Sequence, residues 1–208
     1  MLTILIPIFL LAVAYLSGSV CSAVFVCRFF DLPDPRTKGS RNPGATNVLR
    51  LAGKKYAMMV LFVDMLKGYL PLLLAQFFDV SLLTLSLTCF AAVLGHMFPV
   101  FFGFKGGKGV ATTLGAMFGL HFMLGVFFLG TWIIVAYVTR YSSLASLASV
   151  VLAPIYVVAM THNFDAFPAL FFIAVFVLYK HNENINRLIE GRESKIVLKS
   201  TTAEPDTK

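Results

Sequence analysis

Seven nearly uninterrupted apolar stretches, at about 2–26, 56–77, 81–101, 109–120, 121–139, 143–161 and 165–180, constrain this chain more than any other feature. A strand of a membrane barrel alternates apolar and polar residues. These runs do not alternate, and they read as helices built to cross a hydrocarbon core about 30 Å thick. Composition agrees, with 58% hydrophobic and 13% charged residues, against about 45–50% and about 25% in soluble chains. A soluble globule of this make-up lacks the polar surface to cover itself, and the same apolar excess excludes disorder. The net charge of +7 does not indicate nucleic-acid binding, because no basic domain stands apart from the apolar sequence. Cys21, Cys27 and Cys89 all lie in apolar stretches without ligand spacing, so they read as free thiols and no metal site is expected. The chain therefore reads as an all-α integral membrane protein. Residues 1–195 form a single polytopic domain of seven transmembrane helices, and 196–208 form a polar cytoplasmic tail. The first run lacks a basic leader and is too long for a signal peptide, so it reads as a span.

The basic residues set the orientation. Sixteen of the seventeen Lys and Arg lie in the connections after spans one, three and five or in the tail, and the remaining one, Lys67, lies within span two. By the positive-inside rule the N-terminus is outside and the C-terminus cytoplasmic. The stretch 109–120 is short for a crossing. If it did not cross, Arg140 and the tail charges would move to the outer face, so the charge pattern favours a short or tilted span over a re-entrant loop.

Polar residues gather in three of the cytoplasmic segments. The first, Gly39-Ser40-Arg41-Asn42-Pro43-Gly44-Ala45-Thr46-Asn47-Val48-Leu49-Arg50, packs small hydrogen-bonding residues between two arginines. That mix suits an oxyanion held by N–H groups and hydroxyls, beyond what a basic loop on anionic lipid needs. The second, Phe104-Lys105-Gly106-Gly107-Lys108-Gly109, opens a predicted helix. Glycines allow close backbone approach, and a helix N-terminus with a lysine beside it suits phosphate. No Ser or Thr follows Lys108, so this is not a nucleotide P-loop. His96, just upstream, reads as a structural donor. In the third segment, His181, Asn184 and Arg187 recur every three residues, which a continuing helix would set on one face. Asp64 and Lys67 lie three apart inside span two and are expected to pair, in a structural role. Ser142 or Ser143 reads as a helix cap, with a hydroxyl facing the site as the other reading.

In this order and on this face, the three clusters resemble the bacterial acyl-phosphate:glycerol-3-phosphate acyltransferase family, from about Gly18-Ser19 through Glu193. Arg41 departs from the pattern, standing where the family usually has Gly, and Val20-Cys21 stands in place of Ile-Pro. The resemblance implies transfer of a fatty acyl group from a long-chain acyl phosphate to the 1-hydroxyl of glycerol 3-phosphate. The products are lysophosphatidic acid and phosphate, in the first acylation of phospholipid synthesis. It implies no metal and no cofactor, a multi-pass location in the bacterial plasma (inner) membrane among membrane lipids, a site facing the cytoplasm, and the enzyme supplying acyl phosphate as a partner. By resemblance Ser40, Arg50, His181 and Asn184 are catalytic. Gly106, Gly107, Lys108 and Gly109 bind glycerol 3-phosphate, joined by Ser143, Asn42 and Asn47, while Glu193, Asp64 and Lys67 are structural. The proton of the attacking hydroxyl goes either to His181 or to a substrate phosphate oxygen, and the resemblance favours the latter. The competing reading is a small transporter for an organic phosphate, which would want polar outer connections and inverted repeats.

Overall fold

The computed structural model describes residues 2–196; most of the expected tail, 197–208, lies outside the described residues. Among the described residues the chain forms ten α-helices and one 3₁₀ turn, Val100–Phe102. The apolar runs become α1 (Leu2–Gly18) with α2 (Ser22–Phe29), α4 (Lys54–Phe77), α5 (Leu82–Met97), α6 (Val110–Leu120), α7 (Phe122–Thr139), α8 (Ser142–Thr161) and α9 (Phe167–Lys180). Five segments are long and apolar enough to cross a membrane: Ile4–Phe29, Lys54–Phe77, Leu82–Phe102, Phe122–Thr139 and Ser142–Thr161. Val110–Leu120 and Phe167–Lys180 are shorter apolar helices. Two short helices were not expected as separate elements. These are α3 (Ala45–Ala52), inside the first polar cluster, and α10 (Asn182–Ile189), which follows a break at His181.

Glycines set the closest helix pairs, as expected where backbones approach without a hydrophobic driving force between them. A Cβ on Gly18 would lie 2.0 Å from the Ala92 carbonyl, and one on Gly95 2.2 Å from that of Tyr15, so α1 and α5 meet backbone to backbone. Gly68 and Gly115 do the same for α4 and α6, with Cβ positions 2.1 Å from the Thr112 carbonyl and 1.9 Å from that of Met65. α6 thus starts beside the middle of α4, about 21 Å along that helix from Lys54 at 1.5 Å per residue. The first turn of α6 is recessed into the bundle, with Thr112 and Thr113 buried.

The expected single first span is broken between Gly18 and Ser22, and a buried ion pair explains the break. Lys67 Nζ lies 2.8 Å from Asp64 Oδ1 and donates to the Val20 carbonyl at 2.7 Å, an oxygen that the break leaves open. Ser22 Oγ donates to Asp64 Oδ1 at 2.6 Å, and His96 Nδ1 of α5 lies 3.5 Å from the same oxygen. Thr112 of α6 shares a 3.1 Å hydrogen bond with His96 Nδ1. One carboxylate therefore ties together the α1–α2 break, α4, α5 and, through His96, α6.

Removing one partner of a buried pair strands the other charge, at a cost of about 3–5 kcal/mol. Asp64→Asn is expected to lower the melting temperature of the purified protein in detergent, and adding Lys67→Met should recover part of the loss. Unchanged melting of Asp64→Asn would remove the pair from this role.

Candidate active site

The three polar clusters converge at one end of the bundle. α3 is amphipathic: Val48 packs into a small core with Ala23, Cys27 and Val60, while Arg50 stays exposed. Asn47, 1% exposed, fixes the preceding loop. Its side-chain oxygen accepts from the Ser40 N–H at 2.9 Å, and its amide donates to the Pro35 and Lys38 carbonyls at 2.9 and 3.1 Å. With its amide used in this way, Asn47 holds the turn that presents Ser40.

The glycine loop packs on the end of α5. The Gly107 N–H donates to the His96 carbonyl at 3.1 Å. A Cβ on Gly106 would lie 2.0 Å from that carbonyl, and one on Gly107 2.2 Å from His96 Nε2. The missing side chains of Gly106 and Gly107 are thus required by packing inside the protein, before any phosphate approaches. Gly109 takes φ +84 and turns the chain into α6. Lys180 closes the same corner, donating from Nζ to the Met97 carbonyl at 3.2 Å.

The third cluster is knotted by Glu193. Its Oε1 accepts from Asn184 Nδ2 at 2.6 Å and from Ser143 Oγ at 2.8 Å, and its Oε2 accepts from Arg187 Nε at 2.7 Å. Asn184 in turn accepts from Lys108 Nζ. Ser143, expected at the phosphate site, thus spends its hydroxyl on Glu193. The Ile196 N–H donates to the Arg140 carbonyl at 2.7 Å, holding this segment over the α7–α8 turn. Burial opposes ionisation of Glu193, yet its donors from Arg187, Asn184 and Ser143 hold the carboxyl below its ordinary range. His181 is 3% exposed. Its Nδ1 bonds the Val177 carbonyl at 2.8 Å; a carbonyl only accepts, so Nδ1 carries the hydrogen and Nε2 the lone pair. Burial first, then the charge of Lys108, push His181 down to about 4. Burial first, then Arg187, bring Lys108 down to about 8.

Two adjoining clefts open here. One, of about 460 Å³, is lined by Gly39, Ser40, Arg41, Arg50, Glu183, Arg187, Glu193 and Ser194. The other, of about 330 Å³, is lined by Ser40, Arg41, Asn42, Gly106, Lys108, Tyr179, Lys180, Asn182, Glu183 and Arg187. Together they set five cations against two carboxylates, a field suited to phosphate dianions. Lys180, Glu183 and Arg187 had no site role in the sequence reading. For Arg187 the signal was present, three positions after Asn184.

A family model for glycerol-3-phosphate acyltransferase matches residues 8–191. The chain belongs to the glycerol-3-phosphate acyltransferase family. It is 56% identical over 197 residues to the glycerol-3-phosphate acyltransferase of Legionella pneumophila (Philadelphia 1), covering 95% of this chain and 71% of that one. With that of Shewanella sp. (MR-4) it shares 46% over 200 residues, 96% of this chain and 98% of that one. The fold matches the crystal structure of PlsY (YgiH), an integral membrane glycerol 3-phosphate acyltransferase, in its glycerol 3-phosphate form. That match has a TM-score of 0.87 at 41% identity, over 92% of this chain and 96% of the other. The lysophosphatidic acid form matches with a TM-score of 0.84 at 40% identity, over 92% and 95%. The protein is thus a multi-pass membrane acyltransferase, and the transporter reading gains no support.

In this acyltransferase Lys108 is an ammonium at neutral pH and loses its proton as pH rises through about 8. A phosphate monoester, whose second pKa is about 6, stays dianionic over that range. kcat/KM for glycerol 3-phosphate is therefore expected to fall above about pH 8. kcat at saturation should persist to higher pH, because a bound dianion favours the ammonium. Coincident loss of both parameters would remove Lys108 from phosphate binding.

Proposed function

We propose that the protein transfers a fatty acyl group from a long-chain acyl phosphate to the 1-hydroxyl of glycerol 3-phosphate, on the cytoplasmic side of the bacterial inner membrane, giving lysophosphatidic acid and inorganic phosphate. The observation that carries this reading is the pair of adjoining clefts, rich in cations, at one end of an apolar bundle. Two phosphate-bearing substrates, one of them tethered to the bilayer by its chain, need such a meeting place.

The hydroxyl oxygen attacks the acyl carbonyl, a new ester bond forms, and the bond from the acyl carbon to the phosphate oxygen breaks. Glycerol 3-phosphate is held by Lys108 and the Gly106 and Gly109 N–H groups of the glycine loop, while the Gly107 N–H, given to the His96 carbonyl, fixes the loop's shape. Arg50, with Ser40 and Asn42 beside it, steadies charge on the oxyanion and the leaving phosphate. An acyl phosphate is already an activated anhydride, so no cofactor is required. The leaving phosphate takes the hydroxyl proton. Breaking the acyl–oxygen bond leaves the electron pair on that phosphate as a third negative charge, which makes it a far stronger acceptor than His181, pushed down to about 4, and the phosphate departs as the hydrogen phosphate dianion. His181 offers its Nε2 lone pair to orient a hydroxyl, and Asn184 holds Lys108 in place.

The same reading gives seven crossings with the N-terminus outside. The cluster around Arg50, the glycine loop, the Arg140 turn and the segment after His181 lie at one end of the bundle, which supports the charge pattern. The short α6 and α9 fit a surface recessed at that end.

The assay is phosphate release from purified protein given a long-chain acyl phosphate and glycerol 3-phosphate. Release that does not require both substrates would sink the proposal. In the same assay His181→Gln should retain part of the turnover and His181→Ala less. If His181 is instead the base, both variants should fall together, by roughly 100- to 10,000-fold. Orientation is checked with Lys195→Cys in a chain whose three buried cysteines are replaced. An impermeant thiol reagent should label it only in opened cells, and labelling of intact cells would reverse the topology.

A further inference from the structure

Among the described residues six non-glycine positions have positive φ: Asp31, Arg41, Asp79, Phe104, Arg140 and His162. Arg140 and His162 are left-handed caps that close α7 and α8, a common way to end a helix. Asp31 and Asp79 stand just past the ends of α2 and α4, and short acidic side chains tolerate this region. Phe104 sits in the turn after the 3₁₀ segment. Arg41, at φ +56, differs from all of these. It closes no helix, and a long side chain gains nothing locally from that backbone conformation.

What distinguishes Arg41 is where its side chain goes. It is exposed, and of these six residues it is the one that lines the clefts, both of them. Arg187, also shared by the two clefts, is held by Glu193 at 2.7 Å. Lys108 and Lys180 are held by Asn184 and the Met97 carbonyl. Among the described residues Arg41 makes no ion pair. The backbone that carries it is fixed from both sides. Its N–H donates to the Lys38 carbonyl at 3.1 Å, and the neighbouring Ser40 N–H is held by Asn47. A rigid turn thus presents an uncommitted guanidinium to the boundary between the two clefts, where a planar five-donor fork suits phosphate oxygens better than a point charge would.

We infer that Arg41 is a specificity-determining residue that contacts a substrate phosphate at the junction of the two clefts, adding a cation to those supplied by Arg50 and Lys108. The ligand chemistry is a phosphate dianion, carried either by glycerol 3-phosphate or by the acyl phosphate donor. The inference rests on the acyltransferase reading above.

The test compares Arg41→Gln, Arg41→Lys and Arg41→Gly by steady-state kinetics, with each substrate varied in turn. Losing one charge-assisted contact should raise KM for one of the two phosphates about tenfold or more, with kcat nearly unchanged. The substrate whose KM moves identifies the source of the phosphate. Arg41→Lys should recover most of the loss, and the KM of Arg41→Gln should depend less on salt than that of the unsubstituted protein. Arg41→Gly removes the charge but relieves the left-handed backbone. It should share the raised KM while melting at a higher temperature. Unchanged KM for both substrates in Arg41→Gln overturns the inference, as does equal impairment of the Gln and Lys variants, or an Arg41→Gly that matches the unsubstituted protein. Failure of the unsubstituted protein to release phosphate from the two substrates would instead overturn the acyltransferase reading itself.

Discussion

A single buried carboxylate organises this molecule. Asp64 faces Lys67 within one helix, but neither is satisfied by that helix alone. Lys67 takes its second partner from the broken backbone at Val20, and Asp64 takes Ser22 and His96. In a low-dielectric interior each of these bonds is needed, because an unsatisfied ion there is far costlier than the bond is rewarding. The network thereby fixes the angle between α1 and α2 and the depth of α5. It also fixes the position of His96, on which the glycine loop rests. The clefts at the bundle end inherit their geometry from an ion pair that does not line them.

The site itself is assembled from two sorts of residue. Ser40, Arg41, Arg50 and Lys108 reach the clefts. Asn47, His96, Asn184 and Glu193 use their polar atoms on neighbouring protein groups and hold the first set in place. Tying a cation to a neutral amide, as Asn184 does Lys108, orients the charge without neutralising it. Tying Arg187 to Glu193 partly spends its charge. The uncompensated positive charge at the clefts therefore resides in Arg41, Arg50, Lys108 and Lys180.

The apolar runs of 15 or more residues made the helical class and most helix positions legible, since few structures bury such sequence. The three clusters were legible because small polar residues between spans are otherwise hard to explain. The break at Gly18–Ser22 was not, because its cause lies in Lys67, distant in sequence. α3 was hidden because a run with Gly, Pro and Asn reads as loop; only the packing of Val48 on Ala23, Cys27 and Val60 makes an eight-residue helix hold there. The roles of Gly106 and Gly107 were half legible. A need for bare backbone can be read from glycine, but not whether the crowding neighbour is a ligand or, as here, His96.

The latch around Glu193 bears on how the protein is made. The cleft walls draw on Gly39 near one end of the described chain and on Ser194 near the other. Synthesis runs from the N-terminal end, and early segments fold before late ones emerge. Every helix of the bundle can thus be laid down while Ser143, Asn184 and Arg187 still lack the carboxylate that joins them. The site closes only once the segment that carries Glu193 follows the helices, so a bundle complete through α10 still carries no finished site.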